Sequence, residues 1–400
     1  MKQRTTFFRI PLFLITLPAV CFLSTFASAL DELVVKKEFK LKNYQTVGGK
    51  SLPEVRIGYE TYGTLNAEKT NVILITHYFS GSSHAAGKYK ASDVAPGYWD
   101  SVIGPGKPFD TSKYFVISSD TLVNINPKDP NIITTGPLSV NPKTGKPYGP
   151  DFPVVTFRDF VRVQKALLDS LGVTRLTAVA GPSGGSLQAL QWSVEFPDFV
   201  ERVIAVISPG LSMPPHTILV LNGWASPILR DPKWKNGRYK KGQEPNEGLA
   251  EALKAVTTWA SDFAWAEQTF GNQPTDSKKS PTESLKNTYL IESKLQESSL
   301  SKTKTVDANS FLYLIRANQA FNVENDISKI KAPILFVSVK TDLLFPPELA
   351  DKAAEKIRKA GGTASVKVIE GAGGHLYGLT GLADASEEIS RFLRQPATKK

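Results

Sequence analysis

Residues 178–185 read AVAGPSGG, so Ser183 stands between Gly181 and Gly185 where a short apolar run gives way to a helical pattern over Leu187–Phe196. A serine on so sharp a strand-to-helix turn has a strained backbone and an outward-pointing hydroxyl, and it requires small residues two places before and after it. A glycine-rich turn of this kind can equally cradle a phosphate, so the spacing alone leaves the chemistry open. Two distant residues add what it lacks. Asp342, in PILFVSVKTDLLFPPE, and His375, in VKVIEGAGGHLYGL, each follow a short β-rich run. A serine hydroxyl is a poor nucleophile until an imidazole takes its proton, and the imidazole needs a carboxylate to fix its tautomer and stabilise its charged form. Ser183, His375 and Asp342 are therefore expected as nucleophile, base and orienting carboxylate. His77, His84 and His216 lack that setting and read as packed or solvated side chains.

The elements that must position these groups follow from hydrophobic patterning. Val72–Thr76, Tyr114–Ser118, Leu176–Ala180, Val203–Ile207, Ile334–Val339 and Val366–Ile369 are short continuous apolar runs, the pattern of strands buried on both faces. Helical patterns separate most of them, the clearest at Phe157–Leu171, which Gly172 stops. In such a parallel sheet, functional groups gather at the carboxyl ends of the strands, where Ser183, Asp342 and His375 would sit. The order Ser, Asp, His is that of the α/β-hydrolase fold, so the expected class is α/β: a doubly wound, mostly parallel sheet with right-handed crossovers. Between Pro209 and Asp326 the alternation lapses into helical, aromatic sequence at Ile218–Trp224, Gly248–Phe270, Thr282–Leu295 and Ala308–Phe321. This predicts a helical cap over 211–325, inserted between core segments 30–210 and 326–400.

The chain has 400 residues, 41% of them hydrophobic, enough for a large core. Residues 1–29 read as a cleaved secretory signal: Lys2, Arg4 and Arg9 precede an uncharged run, and Ala27-Ser28-Ala29 offers a processing site. A secreted or periplasmic location is the expectation, with an uncleaved anchor as the alternative. Cys21, the one cysteine, lies inside that segment, so the mature chain could form no disulfide. Removal of the three cations lowers the formal charge from +10 to +7. No stripe of arginines interleaved with aromatics accompanies this excess, which argues against a nucleic-acid partner. With four histidines, none paired at metal-ligand spacing on one helix, no metal and no bound cofactor are expected.

Longer segments resemble the homoserine O-acyltransferase group of α/β-hydrolases. They are GYETYGTLN (Gly58–Asn66), NVILITHYFSGSSHAAG (Asn71–Gly87), GYWDSVIGPGKPFDTSKYFVISSD (Gly97–Asp120), TGPLSVNPKTGKPYGPDFPVVTFRDFVRVQ (Thr135–Gln164) and QALQW (Gln188–Trp192). The resemblance implies a ping-pong reaction in which the serine takes an acyl group from a thioester such as acetyl-CoA and an alcohol removes it. It implies the same triad, an oxyanion hole from the backbone N–H groups of Gly184 and Phe79, and often a homodimer formed through the cap.

Departures from that family bear on the substrate. Where homoserine enzymes carry an aspartate for the substrate ammonium directly after the histidine, this chain has Leu376. Where they carry an arginine for the carboxylate, it has Ala225, or Ser226 if the alignment slips by one. Arg230 is near enough in sequence to substitute, but nothing supplies the missing carboxylate. Ser186 replaces the second glycine usual after the nucleophile. Leaving either charge of a zwitterion unpaired in a buried pocket costs several kcal/mol, roughly 10³ in affinity. The sequence reading is thus an exported serine hydrolase cleaving an ester or thioester through an acyl-Ser183 intermediate. The alternatives are an O-acyltransferase moving an acyl group from acyl-CoA to homoserine or another alcohol, and a binding module with the same fold and no catalysis.

Overall fold

The structure is a computed structural model and describes residues 33–396. The expected signal segment and Cys21 lie outside these residues. Eight strands form the central sheet: β1 (Lys37–Gln45), β2 (Ser51–Tyr62), β3 (Val72–Thr76), β4 (Phe115–Ser119), β5 (Leu176–Pro182), β6 (Val203–Val206), β7 (Ile334–Val339) and β8 (Ala364–Ile369). Their spatial order is β1-β2-β4-β3-β5-β6-β7-β8. From β4 to β8 neighbouring strands are parallel, while β1 pairs antiparallel with β2, and β2 antiparallel with β4.

The continuous apolar runs have a direct cause. Along β3, Val72 and Leu74 enter one hydrophobic core while Ile73 and Ile75 enter the other. In β7 the same alternation sends Ile334 and Phe336 to the first core and Leu335, Val337 and Val339 to the second. Helices α1 (Phe157–Ser170) and α2 (Gly184–Glu195) bury the first face. Thr156 and Asp159 form a capping box at the start of α1.

Between β6 and β7 the chain forms α3 (Pro215–Arg230), α4 (Asn246–Ala260), α5 (Phe263–Thr269), α6 (Leu290–Lys302) and α7 (Ala308–Gln319). Two expected helices differ from those observed. The span Gly248–Phe270 is broken at Ser261–Asp262, where the Asp262 side chain caps the N-terminus of α5. The span Thr282–Leu295 is a turn in its first half: the Ser280 hydroxyl accepts from Thr282 N at 3.2 Å and its carbonyl from Asn287 Nδ2 at 2.8 Å, competing with helical bonding. Helix starts only after Tyr289, whose N–H is taken by Glu292 at 2.7 Å. Helices α8 (Pro347–Lys359) and α9 (Ser386–Arg394) complete the core. Among the described residues no helix is long and apolar enough to cross a membrane.

Candidate active site

Ser183 sits between β5 and α2 with φ 52° and ψ −119°, the left-handed strain expected of the turn. Thr76 at the end of β3 explains the flanking glycines: a Cβ on either Gly181 or Gly185 would collide with Thr76. The Thr76 hydroxyl lies 2.8 Å from the Gly185 carbonyl and 3.2 Å from that of Ala180, lacing both sides of the turn to the neighbouring strand. On α2, Ser186 donates to the Ser183 carbonyl at 2.6 Å.

The structure brings the three distant residues together. His375 Nε2 lies 2.8 Å from Ser183 Oγ, and His375 Nδ1 lies 2.7 Å from Asp342 Oδ2. A carboxylate only accepts, so Nδ1 carries the proton and Nε2 is left free to accept from the serine. The other oxygen, Asp342 Oδ1, takes the N–H groups of Leu344 and Phe345 at 2.8 and 2.9 Å, which fixes the carboxylate plane. All three side chains are buried, and the Phe345 ring packs edge-on against the imidazole.

Gly184 and Phe79 also meet. A Cβ on Gly184 would lie 3.3 Å from Phe79 N. Gly184 begins α2, so its N–H has no intrahelical acceptor, and no bond from Phe79 N occurs among the described residues. The loop holding Phe79 is braced by Asn124 Nδ2 on the Gly81 carbonyl (2.8 Å) and Asn126 Nδ2 on that of Ser80 (3.1 Å). Beneath it lies buried Glu60, which accepts from Ser83 (3.0 Å) and Tyr89 (2.6 Å), contacts His84 (3.0 Å) and pairs with Lys36 (3.1 Å). Burial alone would raise the Glu60 pKa, yet the bond from His84, the Lys36 ammonium and the bond from Tyr89 bring it down to about 2.

A pocket of about 70 Å³ opens over Ser183. Its wall includes Ile207, Met213, Leu221, Trp224, Val256 and Leu376, and holds no Asp, Glu, Lys or Arg. Tyr78 also lines it, and burial raises its phenol above the ordinary value, so that group stays neutral. Leu376 is thus where the sequence places it. Ala225 is not: it is buried in the hydrophobic core, one residue and about 100° around α3 from Trp224, and does not line the pocket. Arg230 is exposed at the end of α3 and also lies outside the pocket wall. His77 and His216 hold no catalytic partner; His77 is buried and bonds the Tyr78 carbonyl, and His216 is exposed against Trp259. Sequence reasoning missed Thr76, Gln188 and Asp262. Gln188 Nε2 bonds the His77 carbonyl at 3.1 Å and its Oε1 takes Gln164 Nε2 at 2.7 Å. The QALQW segment was the available signal for Gln188. A larger cavity of about 600 Å³, lined by Lys128, Tyr239 and Asp307 among others, contains none of the triad. Among the described residues no cluster of His, Cys, Asp or Glu is placed to hold a metal.

Comparison with known proteins agrees with this architecture. A family model described as the alpha/beta hydrolase fold matches residues 110–380. The homoserine O-acetyltransferase of Geobacter sulfurreducens is 38% identical over 337 residues, 82% of this chain and 88% of that protein. That of Methanosphaerula palustris is 44% identical over 306 residues, 75% of this chain, and the match spans only 60% of its length. Among solved structures, the homoserine O-acetyltransferase from Bacillus anthracis superposes with TM-score 0.88 at 39% identity, covering 92% of this chain and 100% of that one. The structure of esterase E22 does so with TM-score 0.87 at 46% identity, covering 90% and 100%, and a leucine-to-aspartate mutant of that esterase gives the same TM-score. With identity of this extent over most of the chain, the chain belongs to the homoserine O-acetyltransferase family of the α/β-hydrolase fold.

Proposed function

We propose that this chain is an exported serine esterase that hydrolyses short-chain acyl esters or thioesters through an acyl-Ser183 intermediate. Ser183 Oγ attacks the acyl carbonyl as its proton passes to His375 Nε2, with Asp342 stabilising the imidazolium. The N–H groups of Gly184 and Phe79 take the developing oxyanion. As the tetrahedral intermediate collapses, the ester C–O bond breaks and His375 returns the proton to the leaving alkoxide. Water then repeats the sequence on the acyl-enzyme, giving its proton to His375, and releases the acid. No bound cofactor takes part; acyl-CoA would enter only as a substrate.

One observation carries the choice of water as acceptor: the pocket over Ser183 has no charged side chain from the acidic or basic residues. Homoserine would bring an ammonium and a carboxylate into that space without partners, at a cost of several kcal/mol. The small volume supports short acyl chains. The name of esterase E22, at 46% identity, points the same way. Export rests on the segment before residue 30, and cell fractionation tests it. The names of the curated relatives favour the second reading, acyl transfer from acyl-CoA to homoserine. Hydrolysis of p-nitrophenyl acetate with and without homoserine separates the two. The esterase reading expects nitrophenol release unaffected by homoserine, whereas acceleration with accumulation of O-acetylhomoserine would replace it by the transferase reading.

A further inference from the structure

The helical insert reaches the histidine loop at the break between α4 and α5. Asp262 occupies that break and is 5% exposed. Its Oδ1 accepts from Trp265 N at 2.8 Å, which is enough to cap α5. Its Oδ2 reaches across 111 positions of sequence to accept from Gly373 N at 2.9 Å, two residues before His375. The backbone there passes through φ 124° at Gly373 and 61° at Gly374, and a Cβ on Gly374 would lie 2.9 Å from Ser261 C and 3.0 Å from Asp262 N. The turn is therefore pressed directly against the break. Thr341, adjacent to Asp342, donates to the Gly371 carbonyl at 3.0 Å, so the two loops that carry the base and its carboxylate are joined to each other as well. Burial alone would raise the Asp262 pKa, but the N–H groups of Trp265, Gly373 and Gly374 hold it below the usual carboxylate range. Asp262 is thus an ionised acceptor at neutral pH.

We propose that Asp262 is a positioning residue through which the helical insert sets the orientation of His375. The inference rests on the acyl-enzyme reading above. Asp262 does not line the pocket; it fixes the Gly373–Gly374 turn so that Nε2 stays within reach of Ser183 Oγ. Val256 and Ala260 of α4 line the pocket, and Asp262 follows Ala260 by two residues, so filling the pocket and placing the imidazole are mechanically coupled through one helix end.

The test compares the full chain with Asp262→Asn and Asp262→Ala by rate of fluorophosphonate labelling, by kcat and KM on p-nitrophenyl acetate, and by the low-field proton resonance of His375 Nδ1–H bonded to Asp342. Asparagine has the same size but must turn an N–H toward one of the converging donors. It is expected to slow labelling and kcat about 10- to 100-fold, the range for a small misplacement of a catalytic group, with KM within about two-fold and the low-field resonance broadened. Alanine is expected to slow them further; if it fails to fold, the asparagine variant decides. Labelling and low-field resonance unchanged in Asp262→Asn, or a loss confined to KM, would overturn the role. If the wild type itself takes no label, the acyl-enzyme reading fails, and the resonance alone decides whether Asp262 orients the imidazole.

Discussion

At the scale of single residues, replacing Ser183 by alanine is expected to lower kcat by at least about 10⁴-fold without lowering the melting temperature, measured by ester hydrolysis and calorimetry. The convergence of Ser183, His375 and Asp342 was legible in the sequence because the chemistry asked of them admits few alternatives. Ser183 needed small neighbours at fixed offsets, and His375 stood among glycines after a strand. The link from Asp262 to the histidine loop was not legible: its partner Gly373 lies 111 positions away and leaves no local pattern, and the aromatic run around Asp262 disguised the helix break. Ala225 was misplaced for a related reason, since sequence offset on a helix does not say which face meets a pocket. Leu376→Asp puts a carboxylate beside His375. We expect it to make homoserine a detectable acyl acceptor, read as O-acetylhomoserine, and to slow hydrolysis of esters with apolar alcohols. If transfer stays undetectable, the missing counter-ion is not what excludes homoserine.

Among elements, the inner parallel strands announced themselves because both faces are covered, which leaves no polar alternation to confuse them. The outer hairpin did not. In β1, Lys37, Lys40 and Lys42 are exposed while Phe39 and Leu41 are only half-buried, so the strand shows weak hydrophobicity, and neither it nor its partner β2 is among the strands expected from the sequence. Such lysines suit an edge strand, whose open hydrogen-bonding side must be kept from other chains. The contact of β3 with the elbow yields a separate test. Thr76→Val keeps the shape but strips the hydroxyl that faces the Ala180 and Gly185 carbonyls. A loss of about 1–2 kcal/mol in urea unfolding is expected, together with reduced activity as the turn loosens.

For the molecule as a whole, the buried charges decide the response to acid. Glu60 has a pKa of about 2 against the ordinary glutamate value of 4.5, so its folded pKa is depressed and its contribution is complete above the unfolded value. That contribution is lost as pH falls through about 2, and it amounts to something on the order of 3 kcal/mol. Urea unfolding at pH 7 and pH 3 should show Glu60→Gln less stable than wild type at the higher pH and the gap narrowing at the lower; an equal gap at both would contradict the assignment. Because the loop bearing Phe79 rests on the Glu60 network, the same acidification should also slow hydrolysis. The proposed reaction as a whole turns on whether the acyl group passes through Ser183. Quenching the reaction with p-nitrophenyl acetate in its first turnover and mapping the acyl group by peptide mass spectrometry tests this directly. The acyl group is expected on the peptide containing Ser183, decaying at the rate of steady-state turnover; continued turnover with that peptide unmodified and no slower in Ser183→Ala would overturn the acyl-enzyme reading.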